Sequence, residues 1–180
     1  MARCVFANGR RARPLNLVVR HHVDDRLTIR LATRKDAEAI ALESMAEIEH
    51  NLGWTWHPQR VIRAIDDPST NVVVAVDGVI MLGFGIMAYE EDLAHLLLFG
   101  VCENVRRRGI GSALLEWLEK VASVAGVDRL KVEARLSNSA ARAFYRKHGY
   151  LESEVDPTMY RSTEAGVRFE KMVGATSRET

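Results

Sequence analysis

Two cysteines, Cys4 and Cys102, are all that 180 residues contain, so the chain is no disulfide scaffold and suits a reducing, cytoplasmic compartment. No uninterrupted apolar run approaches the ~18 residues of a membrane span. The charges nearly cancel, 25 Lys and Arg against 24 Asp and Glu for a net +1. That excludes a globally basic nucleic-acid binder and an acidic disordered tail, though not local patches. No internal repeat or low-complexity segment is present. His50, His57, His95 and His148 show neither an H-x-x-x-H nor a Cys/His spacing, so no metal is expected. What remains is an ordinary globular composition, 47% apolar and 27% charged. The length allows one domain of about 150 residues with a little left over.

The surplus sits at the N-terminus. Arg3, Arg10, Arg11, Arg13 and Arg20 all precede the first acidic residue, Asp24. Residues 1–26 have neither the apolar stretch and cleavage site of a secretory signal nor the serines of a transit peptide. They read as a basic, mobile extension, or as residues upstream of the true start, with a nucleic-acid- or membrane-touching arm as the alternative. A single domain is expected from residue 27 to 180.

From Leu27 the patterning alternates between strand and helix. Leu27–Leu31 has a period of two. Thr33 reads as an N-cap with Asp36 three residues on, opening a helix that places Ala37, Ile40, Ala41, Met45 and Ile48 at helical spacing and stops at Asn51-Leu52-Gly53. Trp54-Thr55-Trp56 is a loop, and Pro58 suits the first turn of a helix running to Asp66. Asn71–Val76 and Val79–Tyr89 form a hairpin turning at Asp77-Gly78, and a further tight turn leads to the strand Leu93–Val101. An amphipathic helix spans Gly109–Ala125 and Gly126 ends it. Then come a strand around Leu130–Ala134, a helix capped by Asn138 and ended by Gly149, and short strands at Tyr150–Glu154 and Val167–Val173. This order predicts an α/β (mixed α+β) domain: a twisted, mostly antiparallel mixed sheet of about six to seven strands with helices on both faces.

The segment with the most chemistry is Arg106-Arg107-Arg108-Gly109-Ile110-Gly111-Ser112, between an apolar strand and a helix. Glycines let backbone N–H groups approach a ligand, and the helix start adds partial positive charge and free donors. The arginines raise the local potential, making an anion site suited to a pyrophosphate. It is not a P-loop, and Leu114 stands where a dinucleotide fingerprint wants its third glycine or alanine. Gly83-Phe84-Gly85-Ile86-Met87-Ala88 matches that fingerprint formally, but inside a hairpin strand, so the match reads as accidental.

Arg106-x-x-Gly109-x-Gly111 resembles the acetyl-CoA-binding signature of the GNAT (Gcn5-related) N-acetyltransferases. Asn138-Ser139-Ala140-Ala141-Arg142-Ala143-Phe144-Tyr145-Arg146-Lys147-His148-Gly149-Tyr150 is similar to the second signature of that superfamily, in the expected order. Cys102–Val105 lacks the proline often found in the preceding loop. The resemblance implies acetyl transfer from acetyl-CoA to a primary amine by direct attack, with no metal. Arg106–Ser112 and Asn138 would bind the cofactor, and the backbone N–H of Val101 or a neighbour would serve the oxyanion. Tyr145 matches the family's tyrosine, which lies against the cofactor and acts as general acid toward its sulfur; core packing is the alternative. Glu133, twelve residues earlier, resembles the base of bacterial ribosomal-protein alanine N-acetyltransferases; a salt bridge to Lys131 or Arg135 is the alternative. His95 is read as a packed strand histidine, with a water-relay base as the alternative. Trp54, Trp56 and Tyr160 are the acceptor-side candidates. Met159-Tyr160 departs from the double tyrosine often seen in N-terminal acetyltransferases. The expected acceptor is a protein or peptide N-terminal amine. The alternatives are a small amine (polyamine, amino acid or aminoglycoside) and a non-catalytic module that binds acyl-CoA or nucleic acid. Dimers are common in the family, so a homodimer is an open expectation.

Overall fold

The computed structural model of the protein describes residues 27–160 and 164–173. The basic extension expected at 1–26 lies outside the described residues. The strands are β1 (Leu27–Leu31), β2 (Thr70–Asp77), β3 (Ile80–Tyr89), β4 (Leu93–Val101), β5 (Arg129–Arg135), β6 (Leu151–Tyr160) and β7 (Glu164–Met172). The helices are α1 (Ala37–Glu47), α2 (Pro58–Asp66), α3 (Ile110–Val124) and α4 (Ser139–Lys147). The strands form one seven-stranded sheet in the order β1-β2-β3-β4-β5-β7-β6. Among the described residues, β4 and β5 run parallel and every other pairing is antiparallel.

The β2 run is buried on both sides of the sheet, as a near-continuous apolar strand requires. Val73 and Ala75 meet Leu114, Leu115 and Leu118 of α3, while Val72, Val74 and Val76 meet Ile40 and Ala41 of α1 and Val61 of α2. The two apolar clusters lie on opposite faces, so helices cover both, as expected. The apparent dinucleotide fingerprint has a packing explanation. A Cβ on Gly85 would stand 2.8 Å from Leu118 Cδ1, and one on Gly83 would stand 2.9 Å from Gly100 O and 3.0 Å from Leu114 Cδ1. The glycines let α3 lie close on the sheet.

Four expectations need correction. Met45 is exposed; Ser44 takes the buried place, donating to Glu49. Helix α1 ends at Glu47, before Asn51 and Gly53, both of which have positive φ. Asp77 pairs with Ile80, so the hairpin loop is Gly78-Val79, with glycine in its first position at φ 58°. The last two strands are ten and nine residues long. The polar, Pro157-containing half of β6 has no alternation to read, because it lies at the sheet edge where proline is tolerated.

Thr33 does open the helical segment, through Asp36. The Asp36 carboxylate accepts from Thr33 N at 2.6 Å, Thr33 Oγ1 at 2.8 Å and the Arg30 guanidinium at 2.8 and 2.9 Å. The Arg30 hydrogen bonds lead in lowering its pKa from 3.8 to about 2. The carboxylate therefore stabilises the fold fully above its ordinary pKa, and this is lost as pH falls through about 2. Asp36→Asn should lower Tm by about 4 °C at neutral pH. In acid melts the gap to wild type should close below pH ~4 as the native carboxyl protonates. A gap that stays constant down to pH ~2 would show that charge is not the cause.

Candidate active site

The site begins with a failure of strand pairing. Strands β4 and β5 pair from Leu93–Arg129 to Leu96–Val132 and then part. At the same point β4 carries an extra residue against β3: Met87 pairs with Leu96 and Ile86 with Leu98, leaving Leu97 as a bulge. The bulge reverses the facing of β4. Ala94 and Leu96 pack with α3, whereas Leu98 packs with α1 and α2. Past the bulge, Cys102 N–H bonds to Leu82 O at 3.0 Å on the β3 side. By antiparallel alternation, Phe99 and Val101 direct their backbone groups away from β3, into the gap left by β5.

A cavity of about 330 Å³ opens at this split, lined among others by Trp56, His95, Leu97, Phe99, Glu133, Tyr145, Met159 and Tyr160. Tyr145 comes from α4 on one face of the sheet. It is buried among Phe144, Tyr150 and Phe169, with ring centroids 5.4, 5.6 and 5.6 Å away. Burial, and secondarily Tyr160, raise its pKa far above the ordinary phenol value, so at neutral pH it is a proton-bearing donor. Burial likewise pushes Tyr160 up to about 12.

Glu133 alternates with Val132 and Ala134, so it projects toward the other face. Its carboxylate lies 3.1 Å from Lys131 Nζ and 3.2 Å from Arg168 Nε, its cross-strand partner. Burial pushes its pKa up, but the hydrogen bonds from Lys131 and Arg168 outweigh this and leave it below the ordinary value. The expected salt bridge to Lys131 is present, and Arg168 adds a second. His95, in register with Lys131, is partly buried; desolvation first and Lys131 second lower its pKa, leaving a neutral imidazole at neutral pH. It lines the cavity rather than being enclosed in the core.

The glycine loop lies where β4 leads toward α3. Gly109 caps α3 at φ 83° and Arg107 is also left-handed, at φ 65°. The first helical bond runs from Ala113 N to Gly109 O at 3.0 Å, so the N–H groups of Ile110, Gly111 and Ser112 precede the ladder. A Cβ on Gly111 would stand 3.4 Å from Phe144 Cε2 and from Val101 Cγ2, which keeps α3, α4 and the end of β4 in close contact. Arg107 and Arg108 are exposed. Arg106 instead pairs with Glu47 of α1, and its Nε donates to Val101 O at 3.0 Å. Ser112 Oγ is 3.0 Å from His148 Nε2. Asn138 caps α4, its Oδ1 accepting from Ala141 N at 3.0 Å.

Of the acceptor-side candidates, Trp56 and Tyr160 reach the cavity. The Arg60 guanidinium stands 4.1 Å over the Trp56 ring. Trp54 does not line it; its ring lies against His57, centroids 4.2 Å apart. Sequence reasoning missed Glu49, Leu97 and Arg168, and noted Met159 only as a departure from the double tyrosine. Leu97 and Arg168 matter through partners in other strands, and Glu49 through Ser44, Thr55 and Trp56 across its own loop, so no short motif marks them. Among the described residues no group of three or more His, Cys, Asp or Glu side chains is arranged to hold a metal ion. No helix among them is long and apolar enough to cross a membrane.

The profile of the acetyltransferase (GNAT) family matches residues 34–150. The chain belongs to that family. This GNAT protein is therefore an enzyme, an acetyl-CoA-dependent N-acetyltransferase. It is similar to an uncharacterized N-acetyltransferase of Methanocaldococcus jannaschii, 28% identical over 144 residues, covering 78% of this chain and 88% of the relative. It is also similar to the [ribosomal protein bS18]-alanine N-acetyltransferase of Escherichia coli. The two are 36% identical over 84 residues, 47% of this chain and 57% of that enzyme. A solved structure of the ribosomal-protein-S18-alanine N-acetyltransferase from Escherichia coli overlays with a TM-score of 0.71 at 23% identity, covering 86% of this chain and 98% of the other. The Salmonella typhimurium protein yncA, solved with its cofactor acetyl-CoA, shares the fold with a TM-score of 0.71 at 14% identity, covering 86% of this chain and 98% of that one.

Proposed function

We propose that this GNAT enzyme acetylates the α-amino group at a protein or peptide N-terminus, in the cytoplasm. The observation that carries this reading is the base available in the cavity. Glu133 is ion-paired with its pKa below the ordinary carboxylate value, and His95 is a neutral imidazole with its pKa depressed. Both are weak bases. An α-amino group, with a pKa of ~7.7–8, is roughly a tenth free base at neutral pH, whereas a lysine at ~10.4 is free to less than about a thousandth and needs far more help. The bS18-alanine enzyme among the relatives supports the same acceptor class.

The residues present fit the cofactor. The first-turn N–H groups of α3, Ser112, Arg107 and Arg108 would hold the pyrophosphate, where partial positive charge and free donors coincide. Arg106 serves that loop from behind, through Glu47 and Val101 O. Phe99 and Val101 N–H groups, facing the β4–β5 gap, would stabilise negative charge developing on the acetyl oxygen. Glu133, directly or with His95 through a water, takes the proton of the attacking amine, and Tyr145 donates toward the departing sulfur. Acetyl-CoA supplies the activated acyl group.

The test is CoA release with three acceptor sets: free-N-terminus peptides, Nα-blocked peptides carrying lysine, and small polyamines or aminoglycosides. Free N-termini should turn over fastest, and acetyl-CoA alone should raise Tm. Preference for blocked lysine peptides or for small amines would overturn the α-amine reading.

A further inference from the structure

The acceptor cavity has two walls from distant parts of the chain. One is the segment 48–56 between α1 and α2, the other Met159 and Tyr160 at the end of β6. Arg135, the last residue of β5, holds both. Its Nη2 donates to Ile48 O at 2.6 Å and to His50 O at 2.7 Å, and its Nη1 pairs with Glu164 Oε2 at 3.0 Å. Glu164 stands opposite Tyr160 in the β6–β7 register and also accepts from Ser137 Oγ. The Arg135 side chain is only 14% exposed. The two carbonyls it binds follow the end of α1, where helical partners have run out and a cation is favoured.

Glu49 fixes the other half of the same loop. Its carboxylate, 8% exposed, accepts from Ser44 Oγ at 3.1 Å, Thr55 N at 2.8 Å, Thr55 Oγ1 and Trp56 N at 3.1 Å. Arg135 therefore ties the start of the loop to the strand hairpin, and Glu49 ties its end, with Trp56, to α1.

We propose that Arg135 is a positioning residue for the acceptor: it joins the 48–56 loop to the β6–β7 hairpin so that the two cavity walls keep one separation. Glu49 carries that constraint to Trp56. The proposal rests on reading this cavity as the acceptor site. The planar fork suits one guanidinium to two carbonyls and a carboxylate at once; a lysine ammonium has no such fixed geometry. The acetyl-CoA loop leaves the same end of β4 but is tied down separately, through Arg106 to Glu47 and Val101 O, contacts that Arg135 does not make.

Arg135→Gln and Arg135→Lys are the test variants, with Glu49→Gln as a probe of the second anchor. Acrylamide quenching of tryptophan fluorescence reports release of the Trp54–Trp56 segment and needs no acceptor. Arg135→Gln should increase quenching and leave acetyl-CoA Kd within about two-fold. It should raise KM for the fastest free-N-terminus peptide by about ten-fold with kcat much less affected. Arg135→Lys should restore at most part of the loss, and Glu49→Gln should also increase quenching. Unchanged quenching and KM in folded Arg135→Gln would overturn the proposal. So would a parallel loss of acetyl-CoA affinity and Tm, which would mark a general structural role. If Arg135→Gln fails to fold, Arg135→Lys carries the same readouts. Failure of the α-amine reading would look different: quenching would still rise while no free-N-terminus peptide turned over.

Discussion

Tyr145→Phe should lower kcat by roughly 10²-fold, while acetyl-CoA Kd stays within about two-fold of wild type. The substitution removes one oxygen and keeps the ring, so the contacts with Phe144, Tyr150 and Phe169 remain. The departing thiolate has an ordinary pKa near 8.5, so it leaves readily in water but needs a donor in a closed site. Burial supplies a phenol that stays protonated at neutral pH. With its pKa so far above that of a thiol, its contribution is a hydrogen bond to the developing thiolate more than complete surrender of the proton. At so buried a position such a bond is worth more than in water. The effect should therefore fall on kcat, and the variant should be slow at every pH where the wild type works. Steady-state kinetics with a saturating free-N-terminus peptide, alongside an acetyl-CoA titration, read both quantities. Full turnover in Tyr145→Phe would leave the tyrosine as a packing residue.

The parts of the site legible from sequence were those with local causes. A glycine turn before a helix and an asparagine cap are features of a few consecutive residues, and Gly109, with φ 83°, and Asn138 have these roles. The alternation through β5 placed Glu133 on the side away from Leu130 and Val132. The parts that were not legible depend on pairs. The bulge at Leu97 is a mismatch between Ile86–Met87 and Leu96–Leu98, and neither strand shows it alone. Trp54 and Trp56 stand two residues apart in one loop, and hydrogen bonds donated by Thr55 and Trp56 N–H to Glu49 settle how that loop lies. Arg106 sits in a phosphate-binding signature, yet Glu47, 59 residues earlier, claims its guanidinium. Charge choices of this kind follow from assembly of the sheet, after the local signals have acted.

Glu133→Gln should lower kcat/KM by about 10²-fold without shifting the pH at which activity rises. The carboxylate is ionised well below neutrality, because Lys131 and Arg168 hold it there against its burial. The rise of kcat/KM with pH then belongs to the acceptor amine, at ~7.7–8 for an N-terminus, and the glutamine variant should rise at the same place from a lower base. The cation pair has a cost: it orients the carboxylate but weakens it as a proton acceptor. Arg168→Gln should relieve part of that depression, because burial would then be opposed by Lys131 with less help. The two roles separate by sign. If basicity limits the reaction, Arg168→Gln raises kcat; if orientation limits it, kcat falls. Should Glu133→Gln keep wild-type activity while His95→Gln loses it, the base is the imidazole. Its pKa, lowered by desolvation and by Lys131, would then appear as an acid limb below 6.5 that the histidine variant lacks.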